Sequence, residues 1–338
     1  MILLIDVHNM AHRAAHSHRE LWSKNSGQFT GLYYGMFNML VKLVNDLKPE
    51  HVWLVSDPND YANKGCWRTQ YLPDYKQRHK TRKPDEEKQY QAIQNQLPEL
   101  RTALLQLNVF WFEQAKMEAD DIIGHLRMMY ADTPIICVST DKDMFPLISP
   151  NFTIYYPGKP PRWLTHDNFF EQSAHFFKEN KKLPAEQQIR LTLDQWAEYR
   201  WLQGDKSDMI PGLPSCAEKR ALMILREYGG YNNFCNLIHT KMSVGEKVTK
   251  TMPKLESENS QRVYALNAHL MRLNPPQGPD KLDMGNPLCA VGSANIDWLK
   301  QWMAYHEFSD SSGSLLAKLE TSPLCRTLSS PYDKLPSY

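Results

Sequence analysis

Four short apolar stretches punctuate the first half of the chain. Residues 2–5, 52–55 and 135–138 are apolar throughout, without the alternation of a half-exposed strand. Each therefore predicts a strand buried on both faces. Residues 152–156 predict a further strand at the sheet edge. Between them, Leu32, Met36, Leu40, Leu43 and Leu47 recur at helical spacing until Lys48-Pro49 stops the run. Strands alternating with helices predict an α/β fold with a mostly parallel central sheet flanked by helices. Later, 218–227 predicts a helix ended by Gly229-Gly230, and 261–273 and 296–306 predict two more. The pattern divides into a 1–200 α/β core, a 201–310 helical part, and a Ser-, Pro- and Gly-rich stretch, 311–338, expected to be a loose tail.

Each of the first three strands runs into acid: Asp6, Asp57, and Asp141 with Asp143. In parallel sheets, sites form beyond the carboxyl ends of the strands, so these loops should converge. A helix beginning near Glu118, Asp120 and Asp121 can add three more acids to the same mouth. Capping and the helix dipole account for one or two acids at a helix start. They do not account for the pair after the 135–138 strand. Isolated buried carboxylates are costly, and hard cations such as Mg²⁺ or Mn²⁺ favour an all-oxygen cage.

His8, His12, His16 and His18 suggest zinc by their i, i+4 spacing, but a third ligand is not evident, so they read as polar turns of a helix. Six scattered cysteines lack paired spacing, which excludes a zinc knuckle and fits a reducing cytoplasm. No apolar run is long enough to cross a bilayer, and the start lacks a signal peptide's basic head. With 338 residues, 42% hydrophobic and 23% charged, the chain has ample core. Its net charge of +1 is silent on a polyanionic partner, so the distribution decides.

That distribution is uneven. Lys64, Arg68, Lys76, Arg78, Lys80, Arg82 and Lys83 are interleaved with Trp67, Tyr71 and Tyr75, against one acid, Asp74. Clustered bases neutralise phosphates and aromatics stack on bases, which points to a phosphate-handling segment. At 201–214, Asp205 and Asp208 lie three apart, on one face if the turn is helical; Ser207 and Asp208 could equally be N-caps. The helix, turn and helix around Pro211-Gly212 form a phosphate grip. Residues 178–183 predict a solvated loop, and 170–192 has no evident role.

Assembled in order, these pieces resemble the 5′-nuclease (flap endonuclease-like) superfamily with its PIN-like core, most closely the bacterial and bacteriophage 5′→3′ exonuclease, primer-removing branch. The resemblance rests on Ile5-Asp6, Gly35-Met-Phe-Asn-Met-Leu, Val55-Ser-Asp57 and Tyr71-Leu-Pro-Asp-Tyr-Lys76. It continues through Glu118-Ala-Asp-Asp121, Ser139-Thr-Asp-Lys-Asp143 and Gly204-Asp-Lys-Ser-Asp-Met-Ile-Pro-Gly212. It implies two metal ions (Mg²⁺, with Mn²⁺ able to substitute) on Asp6, Asp57, Glu118, Asp120, Asp121, Asp141, Asp143, Asp205 and Asp208. It implies a helical arch at about 57–95, with Lys76 reaching the scissile phosphate, assisted by Arg78 or His79. It implies a helix–three-turn–helix at 204–230 that grips duplex and in relatives holds K⁺. DNA contacts are expected from Arg68, Tyr75, Lys80, Arg82, Lys83, Ser215, Ala217, Lys219 and Arg220. Two departures stand out: Arg78 falls one place early for the family's Tyr-Lys-x-x-Arg, and Ser215-Cys216-Ala217 replaces its Gly-Ile-Gly.

The implied activity is 5′→3′ exonuclease or flap endonuclease action, with ribonuclease H activity on primers, during DNA replication. The implied partners are DNA and RNA·DNA duplexes with 5′ ends and replication proteins such as a single-strand-binding protein. A cytoplasmic monomer is expected, in a bacterium or a phage-infected host. The rivals are a metal-dependent phosphatase and a non-catalytic DNA-binding relative.

Overall fold

A computed structural model describes residues 1–58, 66–77, 83–273, 282–285, 288–307 and 313–325. Its elements in chain order are β1 (Ile2–Asp6), α1 (Val7–Ser17), α2 (Gly31–Leu47), β2 (His51–Val55), α3 (Pro84–Leu104), β3 (Phe110–Phe112) and α4 (Ala119–Met129). Then come β4 (Ile135–Val138), β5 (Phe152–Tyr156), β6 (Arg162–Leu164), α5 (Phe169–Ser173), α6 (Leu193–Gln203), α7 (Glu218–Glu227) and α8 (Tyr231–Ser243). These are followed by α9 (Met252–Glu256), α10 (Glu258–Met271), β7 (Ala290–Val291), α11 (Ile296–Tyr305) and α12 (Gly313–Thr321).

The seven strands form one mixed sheet in the order β6-β5-β4-β1-β2-β3-β7. β5, β4, β1, β2 and β3 are parallel, and β6 and β7 close the two edges antiparallel. Chain order runs outward in both directions from β1, so the crevice at the carboxyl ends opens between β1 and β4. The acid-tipped strands β4, β1 and β2 are thus immediate neighbours. The expected edge strand, β5, is internal, because β6 folds back onto it and takes its outer hydrogen bonds.

Successive side chains of β1 point to opposite faces. Ile2 and Leu4 pack with α4, α6, α7 and α8, whereas Leu3 and Ile5 pack with α1, α2, α3 and α11. Both faces being covered explains why these strands are apolar throughout. The first apolar layer runs without a break from β-sheet residues such as Phe152, through Phe145, to Leu222, Phe234 and Ile238 of the helical part. Within the stretch expected to be a loose tail, α12 buries Leu315 and Leu319 against the second layer, and Leu324 joins them. Asn108 donates its backbone N–H to the Leu324 carbonyl at 2.8 Å, fixing that end.

Candidate functional site

The mouth is assembled by short-range bonds between loops that are distant in sequence. Asp6 ends β1 and caps α1: one carboxylate oxygen accepts from the Asn9 backbone N–H (3.1 Å), the other from the Ser139 hydroxyl beyond β4 (3.0 Å). Asn9 in turn accepts from both the backbone and the hydroxyl of Thr140, at 2.9 and 2.7 Å. Beyond β2, Asp57 accepts from the Ala119 backbone N–H at the start of α4 (2.7 Å), and its own N–H donates to His8 (3.2 Å). The α1 histidines therefore include one that serves the site as an acceptor, not a metal ligand.

At the start of α4, ligand oxygens of Glu118, Asp120 and Asp121 lie within 4.8 Å of one another. Arg68 reaches into this group. Its guanidinium bonds Glu118, and it grips Asp121 with two nitrogens at 2.7 and 2.8 Å. The Trp67 indole also donates to Asp121, at 3.0 Å. Arg68 is 1% exposed and Tyr75 4% exposed. Neither can meet DNA from there, which corrects their expected role as contacts. Arg68 is instead the counter-ion of a buried acid pair, and its partners lie about 50 residues along the chain, beyond the reach of local charge counting.

Tyr75 and Lys76 tie this group to the far loop. The Tyr75 hydroxyl faces Glu118 at 2.9 Å and Asp208 at 3.4 Å, and the Lys76 ammonium bonds Glu118. The Lys76 backbone N–H donates to the Asp208 carbonyl at 3.0 Å, with Lys76 held at φ 53, a left-handed conformation uncommon outside glycine.

The Asp205–Asp208 segment is not a helical turn. It is a tight loop closed by reciprocal backbone bonds between Asp205 and Ile210, 3.0 and 2.8 Å. Gly204 and Gly212 make that closure possible. A Cβ at Gly204, where φ is +66, would lie 2.5 Å from the Gly212 nitrogen, and one at Gly212 would lie 2.5 Å from the Gln203 carbonyl oxygen. Arg200, on the last turn of α6, binds both oxygens of Asp143 (2.5 and 3.2 Å) and one of Asp205 (2.6 Å). The other Asp205 oxygen accepts from the Ser207 backbone N–H (2.6 Å) and hydroxyl.

The carboxylates thus fall into two groups. Glu118, Asp120, Asp121, Asp143 and Asp205 carry Arg or Lys partners, Asp120 at 3.6 Å from Arg68, and among the described residues Asp57 has only His8 at 4.0 Å. Among the described residues, Asp6, Asp141 and Asp208 form no ion pair, and burial drives each of them up, to about 6, 7 and 6. Neighbouring acids add to this, Asp57 at Asp6, Asp143 at Asp141, and Glu118 at Asp208, where the Lys76 charge opposes the rise. For Glu118 burial pushes the same way, but Lys76 and Arg68 outweigh it and hold the carboxyl down at about 2. Three carboxylates without an ion pair at one mouth, Asp6 buried and Asp141 and Asp208 half-buried, fit a hard divalent cation.

In the turn after Gly212 the Leu213 carbonyl accepts from Cys216 N–H, Ser215's from Arg220 (2.6 Å) and Cys216's from Gln203 (3.0 Å), so each of these oxygens has one of its two lone pairs engaged. Ser215 takes the left-handed conformation, φ 63, in place of the family's glycine. Ala217 precedes α7, with Lys219 and Arg220 on its first turn and Lys219 exposed. Lys83 precedes α3 and is exposed. Arg78, His79, Lys80 and Arg82 lie outside the described residues, as does part of the expected arch.

A parallel sheet with acids gathered at its carboxyl ends, faced by a lysine and backed by a glycine-closed loop, defines the 5′-nuclease class. The chain belongs to the 5′-3′ exonuclease family: residues 1–175 match its N-terminal, resolvase-like domain. The chain is 28% identical over 325 residues to DNA polymerase I of Lactococcus lactis subsp. cremoris, covering 94% of this chain and 33% of that protein. It is 29% identical over 253 residues to DNA polymerase I of Bacillus caldotenax, covering 74% and 26%. It thus spans about a third or less of the polymerases it matches. In fold it is similar to bacteriophage T5 5′-exonuclease with bound zinc (TM-score 0.58, 17% identity, 80% of this chain and 88% of that one). It is also similar to the catalytic core of Rad2 in complex with a DNA substrate (TM-score 0.55, 15% identity, 96% and 92%). Among the described residues, no helix is long and apolar enough to cross a membrane.

Proposed function

We propose that this chain is a metal-dependent, structure-specific 5′-nuclease that hydrolyses phosphodiesters near the 5′ ends of DNA, or of RNA primers, on duplexes. The observation that carries this is the trio Asp6, Asp141 and Asp208, the first buried and the other two half-buried at one mouth, with no ion pair among the described residues, beside a lysine-bearing segment. Asp6, Asp141 and Asp208 would hold the ions, with Asp57 and Asp120 next to them. Two Mg²⁺ or Mn²⁺ ions held there supply Lewis acidity and lower the pKa of a bound water. Lys76, with Arg78 or His79, neutralises charge that grows on the phosphoryl oxygens. Lys219 and Arg220 hold the duplex, and Lys80, Arg82 and Lys83 guide the 5′ strand. Primer removal during replication is the matching task, with a single-strand-binding protein as a fitting partner.

A 5′-labelled flap, a nicked duplex and an RNA·DNA hybrid, digested side by side with Mg²⁺ or EDTA, test the reading when the first products are sized. Cleavage should need Mg²⁺, begin near the 5′ end and vanish in Asp141→Asn, which should still bind duplex in Ca²⁺. Hydrolysis of small phosphomonoesters without duplex binding would mean a phosphatase instead.

A further inference from the structure

Residues 178–183 read as a solvated loop, yet the segment 174–189 around them is held by specific bonds. Three successive 3₁₀ turns, Ala174–Phe176, Glu179–Lys182 and Ala185–Gln187, are folded around one buried side chain, Asn180. Its amide donates to the carbonyls of Ala174 and Ile189, both at 2.8 Å, and its oxygen accepts from the Ile189 N–H at 2.7 Å. The buried Ser173 hydroxyl closes the base by accepting from the Leu191 N–H at 2.9 Å. Phe176 and Phe177 wedge the loop against Trp196 of α6, ring centroids 5.6 and 5.8 Å away. A merely solvated connection needs no buried asparagine to fix its path.

What this scaffold holds out is charge. Lys178, Lys181 and Lys182 are all exposed. The acid among them, Glu179, stands beside Glu218, the first residue of α7; burial and then the Glu179 charge raise the Glu218 carboxyl, so the seam between loop and helix carries acid as well. The positive charge continues toward the metal mouth. Lys142, between Asp141 and Asp143 in the chain, lies over the Phe176 ring at 5.5 Å, where the charges of Arg200, Glu218, Asp143 and Lys178 all act on it. Duplex DNA, long and polyanionic, is a ligand able to meet both this ridge and the carboxylates.

We infer that the 178–182 ridge is a second phosphate-contact surface, which extends the path of the duplex from the start of α7 toward the acid mouth. The inference rests on the nuclease reading and specifies which part of the chain the substrate crosses. It assigns a role to the stretch whose sequence alone suggests none.

The test is the salt dependence of duplex binding by the full chain in Ca²⁺, with a nicked DNA duplex as probe. Each lost phosphate contact lowers the slope of log K against log salt by about 0.9. Lys178→Ala/Lys181→Ala/Lys182→Ala should flatten it by about 2–3 and weaken binding roughly 10- to 100-fold near 0.1 M salt. Single-turnover cleavage at saturating protein should fall less than about threefold, since no group at the reacting phosphate is removed. Lys24→Ala/Lys42→Ala/Lys48→Ala, on and beside α2 across the sheet, makes the same change in net charge and should leave the slope unaltered. If the triple variant does not fold, a Lys181→Glu/Lys182→Glu pair should flatten the slope in the same way. An unchanged slope, or equal flattening by the control, overturns the inference while the nuclease reading stands. A wild-type chain that binds no duplex overturns both.

Discussion

Arg200 closes a fork on Asp143, with Nε 2.5 Å from one carboxylate oxygen and a second nitrogen 3.2 Å from the other, and the same second nitrogen reaches Asp205 at 2.6 Å. A fixed cation therefore occupies the place between Asp143 and Asp205, where a further divalent ion would otherwise be drawn beside the two proposed for the mouth. Arg200→Gln should tighten Mn²⁺ binding about tenfold, equivalent to about 1.4 kcal/mol. In EDTA the same variant should melt lower, because two acids lose their shared partner, and Mn²⁺ should restore more of its Tm than in the wild type. Calorimetric titration and melting check both halves. Wild-type Mn²⁺ affinity in the variant would mean that Arg200 only braces the loop.

The metal-free chain should be most stable in mild acid. Asp6, Asp141 and Asp208 are raised in the fold to about 6, 7 and 6, so their contribution is complete below the unfolded value of 3.8 and is lost as pH rises through 6–7. Glu118 is lowered to about 2, so its contribution is complete above 4.5 and is lost as pH falls toward 2. In EDTA, Tm should therefore fall between about pH 5 and 7.5. Mg²⁺ should raise Tm more at the upper end of that range, where protons no longer compete for the carboxylates. A flat profile with equal metal increments at both ends would contradict the assignment.

Lys76 distinguishes a reacting group from a surface base. Lys76→Ala should lower single-turnover cleavage roughly a hundredfold, since one charged donor at a developing oxyanion is worth about 3 kcal/mol. Duplex affinity should change little. Near wild-type rates on flap and nicked substrates would leave Lys76 as no more than the partner of Glu118.

Arg68 should behave as part of the core. Arg68→Met leaves Asp121 buried without its counter-ion and Glu118 with Lys76 alone, and should cost about 3–5 kcal/mol in chemical denaturation. Its salt slope for duplex binding should match the wild type wherever it is folded. A flattened slope with unchanged stability would return Arg68 to the DNA surface.

The strands at 2–5, 52–55 and 135–138 are legible because burial on both faces leaves them no polar position, and their acid ends mark the mouth. β3, with three residues, and β7, with two, are too short to carry any period. That β5 is internal depends on β6 pairing with it, and a pairing partner leaves no mark in a strand's own pattern. Arg68 reads as one base among many, since the acids that bury it lie across the fold. The carboxylates themselves are recognisable as a group, but which of them already have a cation is not: Arg200 is an ordinary helix residue until Asp143 and Asp205 stand beside it. Asn180 is a polar residue in a polar stretch, and only its three bonds reveal it as a scaffold.

α12 and the turn after it have a practical consequence. With Leu315, Leu319 and Leu324 seated on the second apolar layer, a chain cut just before α12 would uncover greasy surface beside α2. Such a fragment would keep every carboxylate of the mouth, yet stick to its own copies and to column resins. Proteolytic trimming or an early stop codon there would thus mimic an inactivating mutation, with the chemistry untouched and the protein lost to aggregation.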